Sequence, residues 1–180
     1  DEAHSLGVLG DHGRGKAEAD GVEEDCDFTV GTFSKSVGSV GGFCVSDHEE
    51  LEALRSFSRP YMFTASMTPS TVEGARAGFA QMAALPQLRE RLWENARSLY
   101  GSLGRLGYEL GPEVSPVIAV KLAGPEQAVA LWNALIDAGL YTNIAVPPAT
   151  PNGLSLLRVS VSAAHSQTEI DWAAEVFAAI

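Results

Sequence analysis

The sequence predicts an α/β or α+β fold in which helices cover one face of a sheet. Short apolar runs typical of strands alternate with amphipathic stretches typical of helices through the second half of the chain. Glycine and proline stand at the boundaries of several of these segments. Hydrophobic residues make up 46% of the 180 residues, which is enough for a substantial core.

The first half of the chain is predicted to hold two strands around a lysine-containing turn, followed by helices. The predicted elements are strands at 27–30 and 41–45, a helix from 46 to about 58, an extended or loop segment at 61–66, and a helix from about 69 to 86. Ser46 or Asp47 is the expected cap of the first helix, with Leu51, Leu54 and Phe57 on its buried face.

The second half is predicted to begin with a long amphipathic helix that joins a large domain to a small one. The predicted elements are that helix at 88–106, strands at 117–122, 141–144 and 154–161, and helices at 125–138 and 168–179. Pro125 stands in the first turn of its helix and Gly139 closes it, which is the usual asymmetry of helix ends.

Composition excludes several classes of protein. The formal net charge is −11 and no basic stripe offsets it, which argues against nucleic-acid binding. Cys26 and Cys44 have no metal-site spacing and are expected to be reduced structural thiols, as in the cytoplasm. Because no apolar run approaches the roughly 20 residues that span a bilayer, we expect a soluble protein.

The segment from Gly31 to Gly42 carries the strongest chemical signal. Lys35 lies among small and hydroxylated residues, and its amine can condense with an aldehyde. The hydroxyls of Thr32 and Ser34, with backbone amides freed by the glycines, can hold a phosphate. This combination suits pyridoxal phosphate (PLP), and the flanking apolar strands are expected to desolvate the amine.

Two further charged residues fit the same chemistry. A buried carboxylate from Asp1 would keep a pyridine nitrogen protonated, so that the ring can accept electrons. Arg158 interrupts an apolar strand, and an arginine so placed usually binds a carboxylate.

Other enzyme classes explain the sequence less well. Asp1-Glu-Ala-His4 also spells a nucleotide-hydrolysis box of one helicase group, but the chain has no G-x-x-x-x-G-K-[ST] phosphate loop. The chain also lacks a G-x-S-x-G elbow and an S-x-x-K pair, so a serine hydrolase would have no nucleophile.

Four motifs resemble the α-oxoamine synthases, which are fold-type I PLP enzymes with an aspartate aminotransferase-like fold. The motifs are Asp1-Glu-Ala-His-Ser5, Gly31-Thr-Phe-Ser-Lys-Ser36, Arg59-Pro-Tyr-Met-Phe-Thr-Ala-Ser66 and Pro147-Pro-Ala-Thr-Pro151. The resemblance covers essentially the whole chain, which looks like the C-terminal half of a protein a little over twice as long. It implies that residues 1–87 end a large PLP-binding domain and that residues 88–180 form a linker helix and a small domain.

The resemblance implies a role for each matching residue. Asp1 would pair with the pyridine nitrogen, His4 would bond the phenolic oxygen of PLP, and Lys35 would form the Schiff base and act as catalytic base. Thr32 and Ser34 would hold the phosphate. Thr64 would reach the cofactor of the second subunit of a homodimer, and Arg158 would bind the amino-acid carboxylate.

The last two motifs favour the branch of the family that condenses L-serine with palmitoyl-CoA, a decarboxylative condensation that gives 3-ketodihydrosphingosine and begins sphingolipid synthesis. One position departs from that branch. The resemblance implies an arginine immediately before the Pro-Pro-Ala-Thr-Pro motif, and this chain has Val146 there. Three alternatives stay open: a synthase that uses glycine or alanine and forms aminolevulinate, 8-amino-7-oxononanoate or 2-amino-3-ketobutyrate; a regulatory subunit; and an inactive fragment.

Overall fold

A computed structural model describes residues 1–180, which divide into two compact units at 1–89 and 90–180. The elements of the first unit are α1 Lys16–Asp20, β1 Thr29–Thr32, β2 Gly42–Val45, α2 Leu51–Phe57, α3 Arg59–Met62 and α4 Pro69–Ala84. Helix α5, Pro86–Arg105, begins in the first unit and continues in the second. The second unit adds β3 Glu109–Leu110, β4 Val117–Leu122, α6 Pro125–Asp137, β5 Asn143–Ala145, β6 Ser155–Ser160 and α7 Gln167–Ala179.

The first unit contains a two-stranded antiparallel ribbon. Strands β1 and β2 pair from Thr29 opposite Val45 to Thr32 opposite Gly42. A small apolar cluster lies beyond the ribbon, formed by Leu6, Phe33, Val37 and Ala75. Because Phe33 and Val37 flank Lys35 in the sequence, this cluster fixes the ends of the lysine turn while it leaves the lysine itself at the surface.

The second unit is a four-stranded antiparallel sheet in the order β3-β4-β6-β5. Alternate residues of the central strands are buried, as the period of two requires. They form one core with apolar side chains of three helices; this core includes Ala96, Leu99 and Leu103 of α5, Leu135 of α6, and Ile170 and Phe177 of α7. The predicted fold class, with helices packed on one face of a sheet, is confirmed in this unit.

Most predicted boundaries in the second unit agree with the structure to within two residues. The strands predicted at 117–122 and 154–161 are β4 and β6, and the helices predicted at 125–138 and 168–179 are α6 and α7. Ser166 begins α7 with a capping box, in which its hydroxyl accepts from the Glu169 N–H and its own N–H donates to the Glu169 carboxylate.

The helix predicted at 46–58 is present, but its predicted start and its cap at Ser46 or Asp47 were wrong. Helix α2 begins at Leu51, because the Ser46 hydroxyl instead donates to the Asp27 carbonyl at 2.5 Å and accepts from the His48 N–H at 3.0 Å. The expected buried face is largely uncovered in this chain, since Leu54 and Phe57 are 44% and 78% exposed.

The segment at 61–66 is a loop from Phe63 onwards, as predicted, but its first two residues are helical. Residues Arg59–Met62 form a helical turn with Pro60 in its first positions, where a missing N–H costs no hydrogen bond. Thr64 follows in a loop, and its hydroxyl donates to the Pro60 carbonyl. No helix in the structure combines the length and apolar character that crossing a bilayer requires.

Candidate active site

The lysine turn connects β1 to β2 and is closed by backbone hydrogen bonds. The Gly38 N–H donates to the Lys35 carbonyl at 3.1 Å, and the Ser39 N–H donates to the Phe33 carbonyl at 2.8 Å. Gly38 adopts a φ of +65°, a left-handed conformation that glycine reaches at little cost. The turn therefore presents Lys35 at its apex from a hydrogen-bonded base.

Thr32 and Ser34 bring two hydroxyl groups together directly before the lysine. Their Oγ1 and Oγ atoms lie 2.9 Å apart, and the Ser34 N–H donates to Thr32 Oγ1 at 3.3 Å. Ser34 and Lys35 are both exposed. The structure thus pairs the two hydroxyls that the sequence predicted as a phosphate cradle, and the predicted nucleophile Lys35 is the next residue of the same turn.

Helix α4 holds the turn from the side. The Ser39 hydroxyl donates to the Thr71 carbonyl at 2.8 Å, and a Cβ at Gly78 would lie 2.8 Å from the Val37 carbonyl oxygen. Glycine is therefore needed at position 78, because any side chain would push the helix away from the turn. Phe33 also stacks on Phe43, which reinforces the base of the turn.

The segment from Asp1 to Gly7 lies beside the lysine turn at two points. The Glu2 N–H donates to the Val30 carbonyl at 2.7 Å, which ties the segment to β1. Gly7 lies against Ser36, since a Cβ at Gly7 would be 2.7 Å from the Ser36 Cβ. Asp1, His4 and the lysine turn thus belong to one local structure, although they are separated by some thirty positions of sequence.

Two expectations about burial were wrong. Lys35 is exposed, so the flanking strands do not desolvate its amine within this chain. Asp1 is also exposed, and its Oδ1 accepts from the Ala3 N–H at 2.8 Å. Lys35 is exposed because the apolar cluster packs Phe33 and Val37 on either side of it and leaves the tip of the turn uncovered. Asp1 is exposed because its carboxylate accepts from the backbone of its own turn instead of entering a core.

Arg158 lies in the second unit on β6. Its neighbours across the strand pairs are Ala119 on β4 and Asn143 on β5. Arg158 is exposed while Leu157 and Val159 on either side are buried, so its side chain leaves the sheet on the face opposite the core. It lines a cavity of about 440 Å³ together with Asn143 and Ser160.

Thr64 and Val146 both lie in irregular segments. Thr64 is exposed in the loop after α3, near the strongly exposed Phe63. Val146 follows the last residue of β5 directly, and its carbonyl accepts from the Ala149 N–H at 2.9 Å. The departure from the serine-using branch therefore lies at the end of an edge strand, where an arginine would have no core packing to disturb.

Sequence reasoning gave no role to Glu2 or Gly7. Glu2 is buried and Gly7 makes the close approach to Ser36, so both shape the site without bearing its chemistry. The signal for Gly7 was its place in a series of glycines after the Asp1–Ser5 motif. No sequence pattern marked Glu2 as the buried acid, because Asp1 beside it is equally polar.

The lysine turn and the Asp1–Ser5 segment lie on an α/β fold, and the chain belongs to the family of class I and II aminotransferases. The family model matches residues 1–177. Within that family, serine palmitoyltransferase of Caulobacter vibrioides (strain NA1000 / CB15N) is 54% identical over 171 residues, and that of Sphingomonas paucimobilis is 51% identical over 181 residues. The alignments cover 95% and 99% of this chain but 42% and 43% of the relatives, so the chain spans less than half of their length.

Solved structures agree with this assignment. Sphingomonas wittichii serine palmitoyltransferase is 51% identical, with a TM-score of 0.95 over 99% of this chain and 45% of that protein. A high-resolution structure of serine palmitoyltransferase with PLP as an internal aldimine gives a TM-score of 0.96 at 51% identity, over 99% of this chain and 46% of that one. An 8-amino-7-oxononanoate synthase of Anaeromyxobacter dehalogenans (strain 2CP-C) is less similar, with 36% identity over 95% of this chain and 43% of that protein.

Proposed function

We propose that this chain is the catalytic C-terminal part of a serine palmitoyltransferase, a PLP-dependent acyltransferase. The reaction would join L-serine to palmitoyl-CoA with loss of carbon dioxide and give 3-ketodihydrosphingosine, the first step of sphingolipid synthesis. The observation that carries the proposal is the turn in which two paired hydroxyls, those of Thr32 and Ser34, directly precede an exposed lysine. Sequence identity of 51–54% to two serine palmitoyltransferases over nearly the whole chain supports the choice of substrates.

The residues of the first unit fit PLP. The hydroxyls of Thr32 and Ser34, 2.9 Å apart, offer two donors for one phosphate, and Lys35 next to them offers a primary amine for the aldehyde. When bound, PLP withdraws electrons from the α-carbon of the amino-acid substrate, whose amino group it holds. Asp1 would hold a proton on the pyridine nitrogen, and His4 would donate a hydrogen bond to the phenolic oxygen.

Two further tasks, binding of the substrate carboxylate and removal of the α-proton, are assigned to Arg158 and Lys35. Arg158 would bind the carboxylate of serine through both arms of its guanidinium. Lys35, once free of the cofactor, would take the α-proton of the substrate on Nζ. Its exposure within this chain gives the amine room to move between these two tasks.

Reductive labelling tests this assignment. Borohydride treatment of the PLP-loaded protein followed by peptide mapping should place a pyridoxyl group on Lys35. The chain contains two other lysines, Lys16 and Lys121, which serve as internal controls. A label on either of these would show that Lys35 is not the cofactor lysine.

A second candidate is another α-oxoamine synthase that condenses glycine or alanine with a different acyl-CoA. Val146 favours it, because the serine-using branch has an arginine at that position. Analysis of the products formed from serine, glycine and alanine with palmitoyl-CoA would separate the two candidates. A product from alanine or glycine in place of serine would favour the second one.

The protein is further proposed to act in the cytoplasm as a homodimer that shares its active sites. Phe57, Tyr61 and Phe63, which precede Thr64 in the chain, are strongly exposed, and this exposure supports an apolar contact with a second copy. Thr64 would then reach the partner's cofactor. Cys26 and Cys44 are free and exposed, a state that a reducing compartment preserves.

A further inference from the structure

Glu2 is a buried carboxylate between two proposed cofactor ligands. It is 4% exposed, whereas Asp1 before it and His4 two positions after it are both exposed. Burying an ionised carboxylate is costly unless hydrogen bonds compensate it. The hydrogen bonds that compensate the buried Glu2 carboxylate therefore identify the parts of the chain that it holds together.

The side chain of Glu2 binds the start of helix α1 and the turn before it. One carboxylate oxygen accepts from the Lys16 N–H at 2.6 Å and from the Ser5 hydroxyl, and the other accepts from the Ala17 N–H at 2.9 Å. The first N–H groups of a helix have no partner within the helix, so an external carboxylate satisfies them. Glu2 thus fixes α1 against the Asp1–Ser5 segment.

The backbone of Glu2 binds two other parts of the site. Its N–H donates to Val30 of β1 at 2.7 Å, and its carbonyl accepts from Ser5 and Leu6 at 3.2 and 3.0 Å. Strand β1 ends at Thr32, and the turn that the carbonyl closes contains His4. One residue therefore connects the hydroxyl pair, the His4 turn and helix α1.

The local sequence is adapted to this buried acid. Gly15 has a φ of +121°, and a Cβ there would lie 2.0 Å from the Glu2 carboxylate, so glycine is required for the contact. Burial raises the pKa of Glu2, but the hydrogen bonds from Ser5, Ala17 and Lys16 outweigh it and hold the pKa below its ordinary value. Glu2 is accordingly ionised at neutral pH.

We propose that Glu2 is a positioning residue that sets the distance of Asp1 and His4 from the cofactor held at Lys35. The inference rests on the proposed function, because it assigns Glu2 a role only through those residues. Glu2 has no free oxygen for the cofactor, since its oxygens are used by three donors. It acts by holding the backbone on both sides of it.

Replacement by glutamine provides a sharp test. An amide keeps the size of the side chain, but its NH₂ group cannot accept from Lys16, Ala17 or Ser5 and would face an N–H or hydroxyl donor. At least one contact must break, and the Asp1–His4 segment is then free to shift. The control is Glu18→Gln in the same region, because the Glu18 side chain is also largely buried and its carboxylate accepts from the His12 and Arg14 N–H groups, not from the segment around Asp1 and His4.

The experiment compares the holoprotein and both variants by the absorbance of bound PLP across pH and by the dissociation constant of PLP. We expect Glu2→Gln to shift the pH midpoint of the absorbance change and to weaken PLP binding at least tenfold. Glu18→Gln should lower the melting temperature by an amount comparable to Glu2→Gln, while its PLP spectrum stays that of the wild type. Ser5→Ala, which removes one of three donors, should fall between wild type and Glu2→Gln.

The outcomes separate the inference from the proposed function. If wild-type protein takes up no PLP, the proposed function and the inference fail together. If wild-type protein binds PLP at Lys35 but Glu2→Gln leaves the spectrum and affinity unchanged, the inference alone fails. Equal spectral changes in Glu2→Gln and Glu18→Gln would also overturn it, because they would indicate a general loss of stability.

Discussion

Arg158 illustrates how the chain separates residues that form the core from residues that are proposed to bind substrate. It lies on β6 between Leu157 and Val159, which are buried in the core, yet its own side chain lies on the opposite face. Because alternate residues of a strand face opposite sides, a charged residue here leaves the core undisturbed. The guanidinium is thereby held on a rigid strand and remains available to a ligand.

Replacing Arg158 by lysine should weaken amino-acid binding roughly tenfold to a hundredfold, which corresponds to a charge-assisted hydrogen bond of about 1.5–3 kcal/mol. Lysine keeps the charge but loses the two-armed contact with a carboxylate. Titration of serine into the PLP-loaded protein, followed by absorbance, measures this affinity. Arg97→Lys, at an exposed site on α5, is the control. Unchanged affinity in Arg158→Lys would show that another group binds the carboxylate.

His48 should titrate above its ordinary value of 6.5, because a 3.0 Å hydrogen bond to Asp27 raises its pKa and the nearby acidic charges add to the effect. The contact of protonated His48 with Asp27 therefore stabilises the fold fully below pH 6.5. This stabilisation disappears as the pH rises through the pKa of His48 in the folded state. NMR titration of the imidazole measures the shift. Asp27→Asn should return the pKa towards 6.5, whereas Asp137→Asn in the other unit should leave it unchanged. A value at or below 6.5 in the wild type would contradict the contact.

At the level of elements, a local cap determined where α7 begins, whereas tertiary contacts determined where α2 begins and what both helices cover. Helix α7 begins at a reciprocal cap between Ser166 and Glu169, and its buried face joins the main core through Ile170 and Phe177. Helix α2 has a similar apolar period, but Phe57 is strongly exposed. Periodicity therefore predicted both helices, and it predicted burial correctly only for α7.

Ser166→Ala should destabilise the second unit by about 1 kcal/mol, because it removes the cap of α7 and leaves the Glu169 N–H without its hydroxyl acceptor. Urea unfolding of the wild type and the variant measures the difference. Ser160→Ala, at an exposed position on β6, is the matched control and should change stability by less than about 0.5 kcal/mol. Equal effects of the two substitutions would mean that the cap contributes nothing specific.

At the level of the whole molecule, the first unit exposes large apolar side chains, which supports the proposed contact with a second copy. Phe57 and Phe63 are 78% and 80% exposed, and they lie on either side of α3 in the sequence. Soluble proteins rarely leave such side chains together in water. A second copy of the protein is the partner that the proposed shared active site requires.

We therefore expect the PLP-loaded protein to sediment as a dimer and Phe63→Asp to shift it towards monomer with weaker PLP binding. The added charge would be buried without a partner in the interface, which is strongly unfavourable. Sedimentation velocity measures the shift, and Val129→Asp, at an exposed site on α6, is the control. A fully active wild-type monomer would exclude a shared site.

The sequence by itself predicted the fold class and most elements of the second unit, and it led to the proposed PLP chemistry. Strands β4 and β6 and helices α6 and α7 were predictable because their periods, prolines and caps are local properties. The Thr32, Ser34 and Lys35 group was predictable for the same reason, since its members are neighbours in the chain. The motifs also led to the family that the comparisons support.

Only the tertiary structure decided which polar groups are buried. Asp1 was expected to be buried and the Lys35 amine to be partly desolvated, but both residues are exposed, while Glu2, which had no predicted role, is the buried acid. Burial depends on contacts between residues far apart in sequence, such as Glu2 with Lys16 and Val30, or Gly7 with Ser36. A carboxylate looks the same in the sequence whether it faces water or three hydrogen-bond donors, and only the folded chain supplies the donors.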